Sequence, residues 1–234
     1  MSAGVTAEIA RTAQVLRCRP REIDFLCRFS AREIRALRMA IFERMYADHR
    51  ETYSRIASAS RLLPMKVTAP LAQRMLPPRV SAGVVASLPP DQAAAMSGRM
   101  SVDYVADVAS FLSPALAEPV LSRLPVQLIN RVADVLCDRE DHDTMAEVVV
   151  ALSDEQVVAV VESIGDAETL VLVALRVTDD AALDRLARVL PEERLQDMVG
   201  WASRRTALWA ELAGLLGRLP AAQRKRLLSG VRAG

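Results

Sequence analysis

Apolar residues recur through the middle of this chain at intervals of about twelve residues. The repeated positions are Leu76, Leu88, Met100, Leu112, Leu124 and Leu136. A pair of residues typical of turns or helix starts follows each of them, as in Pro77-Pro78 and Ser113-Pro114. Further apolar residues stand four and eight positions later, and offsets of 0, 4 and 8 lie on one face of an α-helix. The spacing therefore predicts a series of short amphipathic helices.

Proline sets the length of each unit. It fits the first turn of a helix but cannot continue a preceding one, so a Leu-Pro pair ends one helix and begins the next. Each unit is then a helix of about nine residues plus a tight turn. Helices this short are marginal alone in water and must bury their apolar faces on neighbours. The fixed period predicts an all-α superhelix, or α-solenoid, of short helices with a repeat of about twelve residues.

The two ends of the chain differ from the repeat. Residues 1–60 carry the capping-box pattern of Ser30 and Glu33, which predicts a long helix over about residues 31–58. The predicted apolar stripe of that helix is Ile34, Leu37, Ile41, Phe42 and Met45. Residues 61–200 hold the repeat, which is stretched by four residues after Leu136, and residues 201–234 form a basic helical segment. We interpret both end regions as caps on the superhelix.

Charge is strongly segregated, although the net charge is only +1. Residues 1–80 hold 15 basic and 7 acidic side chains, residues 81–200 hold 8 and 21, and residues 201–234 hold 7 and 1. Such segregation can steer a partner, bind nucleic acid, or pair internally within or between copies of the chain. We expect pairing between the oppositely charged segments. Nucleic acid is disfavoured because the sequence has no known nucleic-acid-binding motif.

Hydropathy and cysteine usage bear on location. No run approaches eighteen apolar residues, which predicts that the protein is not an integral membrane protein. The first residues lack the basic flank and apolar core of a signal peptide, so we expect a cytoplasmic protein. Cys18, Cys27 and Cys137 are scattered without metal-ligand spacing, and we expect reduced and mostly buried thiols.

Acidic residues cluster where the repeat is stretched. Asp138, Glu140, Asp141 and Asp143 could offer carboxylate oxygens to a hard cation such as Mg²⁺. The alternative is a solvated turn in which Asp143 caps a helix that begins near Thr144. Both interpretations stay open from the sequence.

Aromatic and basic residues suggest interaction surfaces at both ends. On the long helix, Tyr46, Arg50 and Tyr53 combine aromatic and cationic groups in the manner of an interface. Trp201 and Trp209 stand eight positions apart, which predicts one helix face. That face is either part of a C-terminal cap or a docking helix for a protein or an anionic membrane.

Catalysis is not predicted. The only histidines are His49 and His142, and the sequence has no nucleophile elbow, P-loop or dinucleotide fingerprint. The pairs Asp179-Asp180 and Glu192-Glu193 resemble catalytic carboxylates but fall just after repeated apolar positions. Acidic residues there favour the first turn of a helix. We therefore expect a protein that is not an enzyme.

The repeat resembles the cytosolic N-terminal domain of MgtE-type magnesium transporters and, more distantly, the repeats of the flagellar switch protein FliG. The resemblance is carried by successive Leu-Pro-Pro units, as in residues 76–90, and covers about residues 61–200. It implies a right-handed superhelix of short helices. In those transporters the domain responds to Mg²⁺ together with a pair of CBS domains and gates a membrane pore. The present sequence has no CBS-like pattern, so the transporter activity is not carried over.

These observations predict a non-catalytic helical-repeat protein that acts as an interaction scaffold or regulatory adaptor. In this interpretation the acidic repeats bind a basic segment of a partner protein. One alternative is a Mg²⁺-responsive regulatory domain, in which the cation screens repulsion among the acidic repeats. A second alternative is the binding of a lipid or another apolar small molecule in a groove between the helices.

Overall fold

The structure, a computed structural model, describes residues 3–60 and 62–231, with the backbone alone at residues 3, 4, 7, 207 and 228–231. The helices are α1 (Ala3–Leu16), α2 (Ala31–Ser60), α3 (Met65–Met75), α4 (Pro78–Ser87), α5 (Pro90–Ser97), α6 (Val102–Ala109), α7 (Pro114–Leu121), α8 (Val126–Asp138), α9 (His142–Ala151), α10 (Asp154–Ser163), α11 (Ala167–Ala174), α12 (Asp180–Val189), α13 (Glu192–Ser203), α14 (Thr206–Arg218) and α15 (Ala221–Val231). A 3₁₀ segment, Pro20–Arg28, connects α1 to α2. These ranges contain no strand, which confirms the all-α class. They also contain no helix long and apolar enough to cross a membrane.

The repeat helices stack in two rows, because each packs mainly on the helix two places further along the chain. The even-numbered helices from α2 to α12 form one row, and the odd-numbered helices from α3 to α15 form the other. Helix α14 packs on α13. Each short helix thereby buries its apolar face on its neighbours, as its length requires.

The predicted helix boundaries are confirmed over the first repeats. Leu76 and Leu88 end α3 and α4 in extended backbone, and Pro78 and Pro90 occupy the first turns of α4 and α5. Where Ser101 takes the place of proline, its side chain caps α6 by accepting a bond of 3.3 Å from the N–H of Tyr104. The positions eight residues after the repeated apolar residues are buried, namely Val84, Met96, Val108, Val120 and Val132.

The stretched repeat follows a helix that runs past its predicted end. Helix α8 continues beyond Leu136 to Asp138 and closes with Glu140 in the left-handed region, at φ 52°. The N–H of Asp141 donates to the carbonyl of Leu136 at 2.9 Å, as in a Schellman C-cap. Asp141 then caps α9 by accepting a bond of 3.1 Å from the N–H of Thr144. The prediction that Asp143 is the cap was wrong, because this turn brings Asp141 to the helix start.

The long N-terminal helix is confirmed, but its buried face was predicted only in part. Ser30 N–H donates to the Glu33 carboxylate at 2.8 Å, which forms the expected capping box at the start of α2. Leu37 is exposed, whereas Arg35 and Arg38 are buried. The helix is therefore rotated relative to the predicted stripe, with guanidinium groups on its inner side.

The three cysteines are unpaired, but the prediction of burial was wrong. Cys18 and Cys137 are half-buried, and Cys27 is exposed. In the 3₁₀ segment, Ile23 and Leu26 are the residues that turn inward, which leaves Cys27 outside.

Candidate functional site

The N-terminal hairpin, formed by α1 and α2, meets the repeats at a cluster of ion pairs with a buried centre, here called the ionic junction. Its members are Glu8, Arg11, Arg35, Arg38, Asp141, Asp143, Glu147 and Arg176. At its centre the fully buried carboxylate of Glu8 lies 3.2 Å from Nε of Arg35 and 3.2 Å from Nε of Arg38. The hairpin supplies three of the arginines and the repeats supply three of the carboxylates. The junction therefore joins the basic and acidic segments within one chain.

Two arginines of α2 make the contacts to the repeats. Arg38 Nη2 lies 2.5 Å from Oε1 of Glu147 on α9. Arg35 pairs with the carboxylate of Asp143 and also donates to the backbone carbonyl of Arg176 at 2.5 Å. Arg176 approaches the same Asp143 carboxylate at 3.3 Å. The planar guanidinium groups thus span two carboxylates or a carboxylate and a carbonyl, as their fixed donor geometry allows.

Burial makes these charges depend on one another. Four carboxylates and four guanidinium groups balance, so the junction has no net charge when all are ionised. Burial raises the pKa of Glu147, whose Oε2 atom is buried without a hydrogen-bond partner. For Arg38, burial acts to lower the pKa, but the carboxylates of Glu147 and Glu8 outweigh it and raise the value. Removing a buried member such as Arg38 would leave a buried charge without its partner, which is far more costly than losing an exposed pair.

Two of the four predicted metal ligands belong to this junction and two lie outside it. Asp141 pairs with Arg11, and Asp143 is bound by the arginines of α2 and α11. Asp138, the last residue of α8, and Glu140, in the turn that follows, are both exposed. Among the described residues, no three side chains of His, Cys, Asp or Glu are grouped closely enough to hold a metal ion. Two of the predicted ligands instead hold guanidinium groups.

The predicted aromatic surface on α2 faces α4. Tyr46 and Tyr53 stack with ring centroids 5.9 Å apart, and the Tyr46 hydroxyl donates to the carbonyl of Ala86 at 3.2 Å. Gly83 lets the Tyr53 ring approach α4, since a Cβ atom there would lie 2.6 Å from it. Arg50 is exposed. The two tyrosines therefore stabilise the contact between the long helix and the first repeats.

The two tryptophans lie on different helices, so the prediction of one shared helix face was wrong. Trp201 belongs to α13 and Trp209 to α14, because the helix breaks after Ser203. Both are half-buried and pack against the main apolar core. The guanidinium carbon of Arg205 lies 3.8 Å from the Trp201 ring centroid, a cation–π contact.

An exposed apolar stripe runs along the surface of α3. Large apolar residues spaced by four positions form this stripe, here called the α3 face. It consists of Leu63, just before the helix, and Val67, Leu71 and Met75 within it, which are 48, 53, 48 and 70 % exposed. Residues 65–75 contain no acidic side chain, and Lys66 and Arg74 are both exposed. The surface therefore combines apolar and cationic groups.

The opposite side of α3 fixes the helix in place. Thr68 and Ala69 are buried, and Ala69 packs with Ala57 of the long helix. The Gln73 amide exchanges two bonds of 2.9 Å with Ser101 at the start of α6. Because α3 is the first helix of the odd row, its outer side is the position that one more repeat helix would occupy. The α3 face is thus presented on a rigid support.

An apolar cavity of about 140 Å³ lies between the two rows, from α6 to α15. Among the described residues its wall consists of Ala, Val, Leu, Ile and Met side chains. They include Ile129, Leu136, Val157, Leu186, Leu195 and Leu216.

Sequence reasoning missed the buried arginines and the cavity. The available signal for the junction was the excess of arginine before residue 80 opposite the acidic repeats, which indicated pairing but not its positions. The spacing of four residues from Leu63 to Met75 is also visible in the sequence, although it does not reveal which side of α3 is covered. No protein-family model, curated protein or solved structure matches this chain.

Proposed function

We propose that this chain is a non-catalytic interaction scaffold that binds an acidic amphipathic helix of a partner protein on the α3 face. The observation that carries the proposal is a contiguous apolar stripe, flanked by cations, at the open end of a helix row. In helix-in-groove recognition, apolar anchors at helical spacing provide the contact and flanking charges select the partner. Lys66 and Arg74 would select carboxylates.

The position of the stripe favours a helical partner. Repeat helices here already bury their faces on the next helix of the same row, and the outer side of α3 offers the same kind of surface. A docked helix would continue the odd row. The covered side of α3 needs no rearrangement, because Thr68 and Ala69 already contact α2 and Gln73 already bonds Ser101 at the start of α6.

A second copy of the chain fits this surface less well. A two-fold contact between α3 faces would bring Lys66 and Arg74 of one copy close to Lys66 and Arg74 of the other. Like charges are destabilising at a desolvated interface. A contact with the acidic repeats would lack an apolar counterpart. Among the described residues, the exposed large apolar side chains all lie between Leu16 and Met75.

An anionic membrane is also less favoured. Electrostatic attachment to anionic lipids typically uses a cluster of about four to eight basic residues, and α3 carries two. The stripe is also short, with three large apolar residues inside an eleven-residue helix. A helix–helix contact needs no more than this.

The first experiment measures binding of two designed helical peptides by fluorescence anisotropy. Both are about 18 residues long with a leucine stripe, and one is flanked by glutamate and the other by lysine. We expect the acidic peptide to bind at least about tenfold more tightly, with the preference falling as salt rises. Leu71→Asp should abolish binding, whereas Leu37→Asp, at an apolar residue that is 43 % exposed elsewhere, should not.

The second experiment compares capture from a cell lysate by the wild type, Leu71→Asp and Leu37→Asp. A protein bound by the first and third but lost by the second, and containing an acidic amphipathic segment, supports the proposal. Identical captured sets for all three would overturn it. Binding to anionic vesicles that Leu71→Asp abolishes, with no peptide binding, would replace the protein partner with a membrane.

A further inference from the structure

We infer that the cavity between the two helix rows is a binding site for a neutral hydrocarbon group about the size of a benzene ring or a six-carbon chain. This site is separate from the α3 face, because its wall begins at Val105 and continues to Leu227.

The wall selects uncharged and apolar ligands. No charged or hydroxyl-bearing side chain of the described residues lines the cavity. A water molecule there would lack the two to four polar partners that buried water needs, so the wall favours ligands without hydrogen-bonding groups. A charged or strongly hydrogen-bonding group would pay its desolvation cost without compensation. A hydrocarbon group meets neither obstacle.

The volume sets the ligand size. Apolar cavities of about 150 Å³ in other proteins bind benzene or xenon, and this cavity has about 140 Å³. The protein also lacks the side chains that would fill it. Aromatic residues make up 4 % of the chain, and none of them lines the cavity. Alanines such as Ala133 and Ala187 stand at wall positions where a larger residue would occupy the space.

The test records methyl NMR spectra of the full chain, labelled at leucine and valine, during titration with benzene and separately under xenon pressure. We expect saturable shifts confined to wall residues such as Val157, Val199 and Leu216, with a dissociation constant on the order of millimolar for benzene. Methyl groups of the α3 face should not shift. Octanoate, which carries a charge, should not compete with benzene.

A matched pair of variants on α12 separates the cavity from general effects. Ala187→Leu fills part of the cavity and should weaken benzene binding at least about tenfold, because the ligand and the new side chain need the same space. Ala181→Leu adds the same atoms at an exposed position of the same helix and should leave binding unchanged. If Ala187→Leu does not fold, Val199→Ile serves in its place, with a smaller loss of affinity expected.

Three results would overturn the inference. The first is the absence of saturable shifts in the wild type with both benzene and xenon. The second is unchanged affinity for benzene in a folded cavity-filling variant. The third is a set of shifts at exposed methyl groups instead of the wall, which would indicate non-specific surface binding.

Discussion

The ionic junction holds the N-terminal hairpin on the repeats, whereas the apolar interior holds the repeat helices together. The two regions place different requirements on their residues. At the junction, three arginines of the hairpin meet three carboxylates of the repeats in specific pairs. In the interior, leucine, valine and alanine pack loosely enough to leave a cavity of about 140 Å³. Directional pairing fixes the position of the hairpin, whereas non-directional burial tolerates a gap.

Because of this difference, the two regions are not equally sensitive to substitution. A missing partner in the junction leaves an ion buried without compensation. A missing methyl group in the interior adds to a space that already exists, and a ligand can fill it. The two regions should therefore respond differently to mutation and to small apolar molecules.

The largest effect is expected for Arg38→Met. The substitution keeps much of the side-chain volume but leaves Glu8 and Glu147 buried without their shared guanidinium group. We expect a loss of about 3–5 kcal/mol in the free energy of unfolding, measured by urea denaturation. Arg44→Met is the matched control, because Arg44 makes only an exposed pair with Asp48 on the same helix. The control should change stability by less than about 0.5 kcal/mol, and equal losses would show that the junction is not a special contact.

The next effect is expected in the interior, for Leu136→Ala. Leu136 is 2 % exposed and lines the cavity, so its truncation should cost about 3 kcal/mol. Saturating benzene should recover part of this loss by binding the folded state alone. Benzene should raise the melting temperature of Arg38→Met no more than that of the wild type. Equal benzene effects in Leu136→Ala and the wild type would contradict the assignment of Leu136 to the ligand-accessible wall.

A smaller effect is expected where the hairpin meets α4. Gly83→Ala places a methyl group 2.6 Å from the Tyr53 ring, which must move. We expect a net loss of about 1 kcal/mol, because overpacking outweighs the better helix propensity of alanine. Gly200→Ala on α13 meets no atom within 4 Å and should gain up to about 1 kcal/mol. Thermal unfolding of both variants measures this difference, and a gain in both would show that the Tyr53 contact is loose.

The repeats were more predictable than the junction, for a physical reason. Proline at Pro78 and Pro90 and apolar residues at Val84 and Met96 act through local geometry, so a single period revealed the helices and their buried faces. The period gave no indication of a gap between the rows, because the cavity depends on how closely the helices approach. Its wall could not be predicted from spacing alone.

The junction depends on contacts between residues more than 100 positions apart. Arg35 and Asp143, for example, are separated by 108 positions, and neither stands in a pattern that differs from a solvated helix face. Segregated charge indicated that the ends and the middle attract each other. It could not show that arginine would replace Leu37 on the inner side of α2, because hydrophobic periodicity assigns charged residues to the outside.

The smallest expected effect concerns pH at the edge of the junction. Burial lowers the pKa of His142 below 6.5, and Arg176 lowers it further, against the carboxylates of Asp143, Glu140 and Asp141. A lowered pKa means that the unfolded chain binds the proton first, so this contribution to stability is present above pH 6.5 and is lost as the pH falls through the folded value.

Urea denaturation at several pH values between about 7.5 and 5.5 measures this contribution as the difference between the wild type and His142→Asn. We expect the wild type to lose more stability on acidification than the variant does. The raised pKa of Glu147 acts in the opposite direction, but both proteins contain Glu147 and the difference cancels it. His49→Asn is the control, since it removes the other histidine at an exposed site outside the junction. Parallel pH profiles for the wild type and His142→Asn would mean that burial and the Arg176 guanidinium group do not lower the pKa of His142.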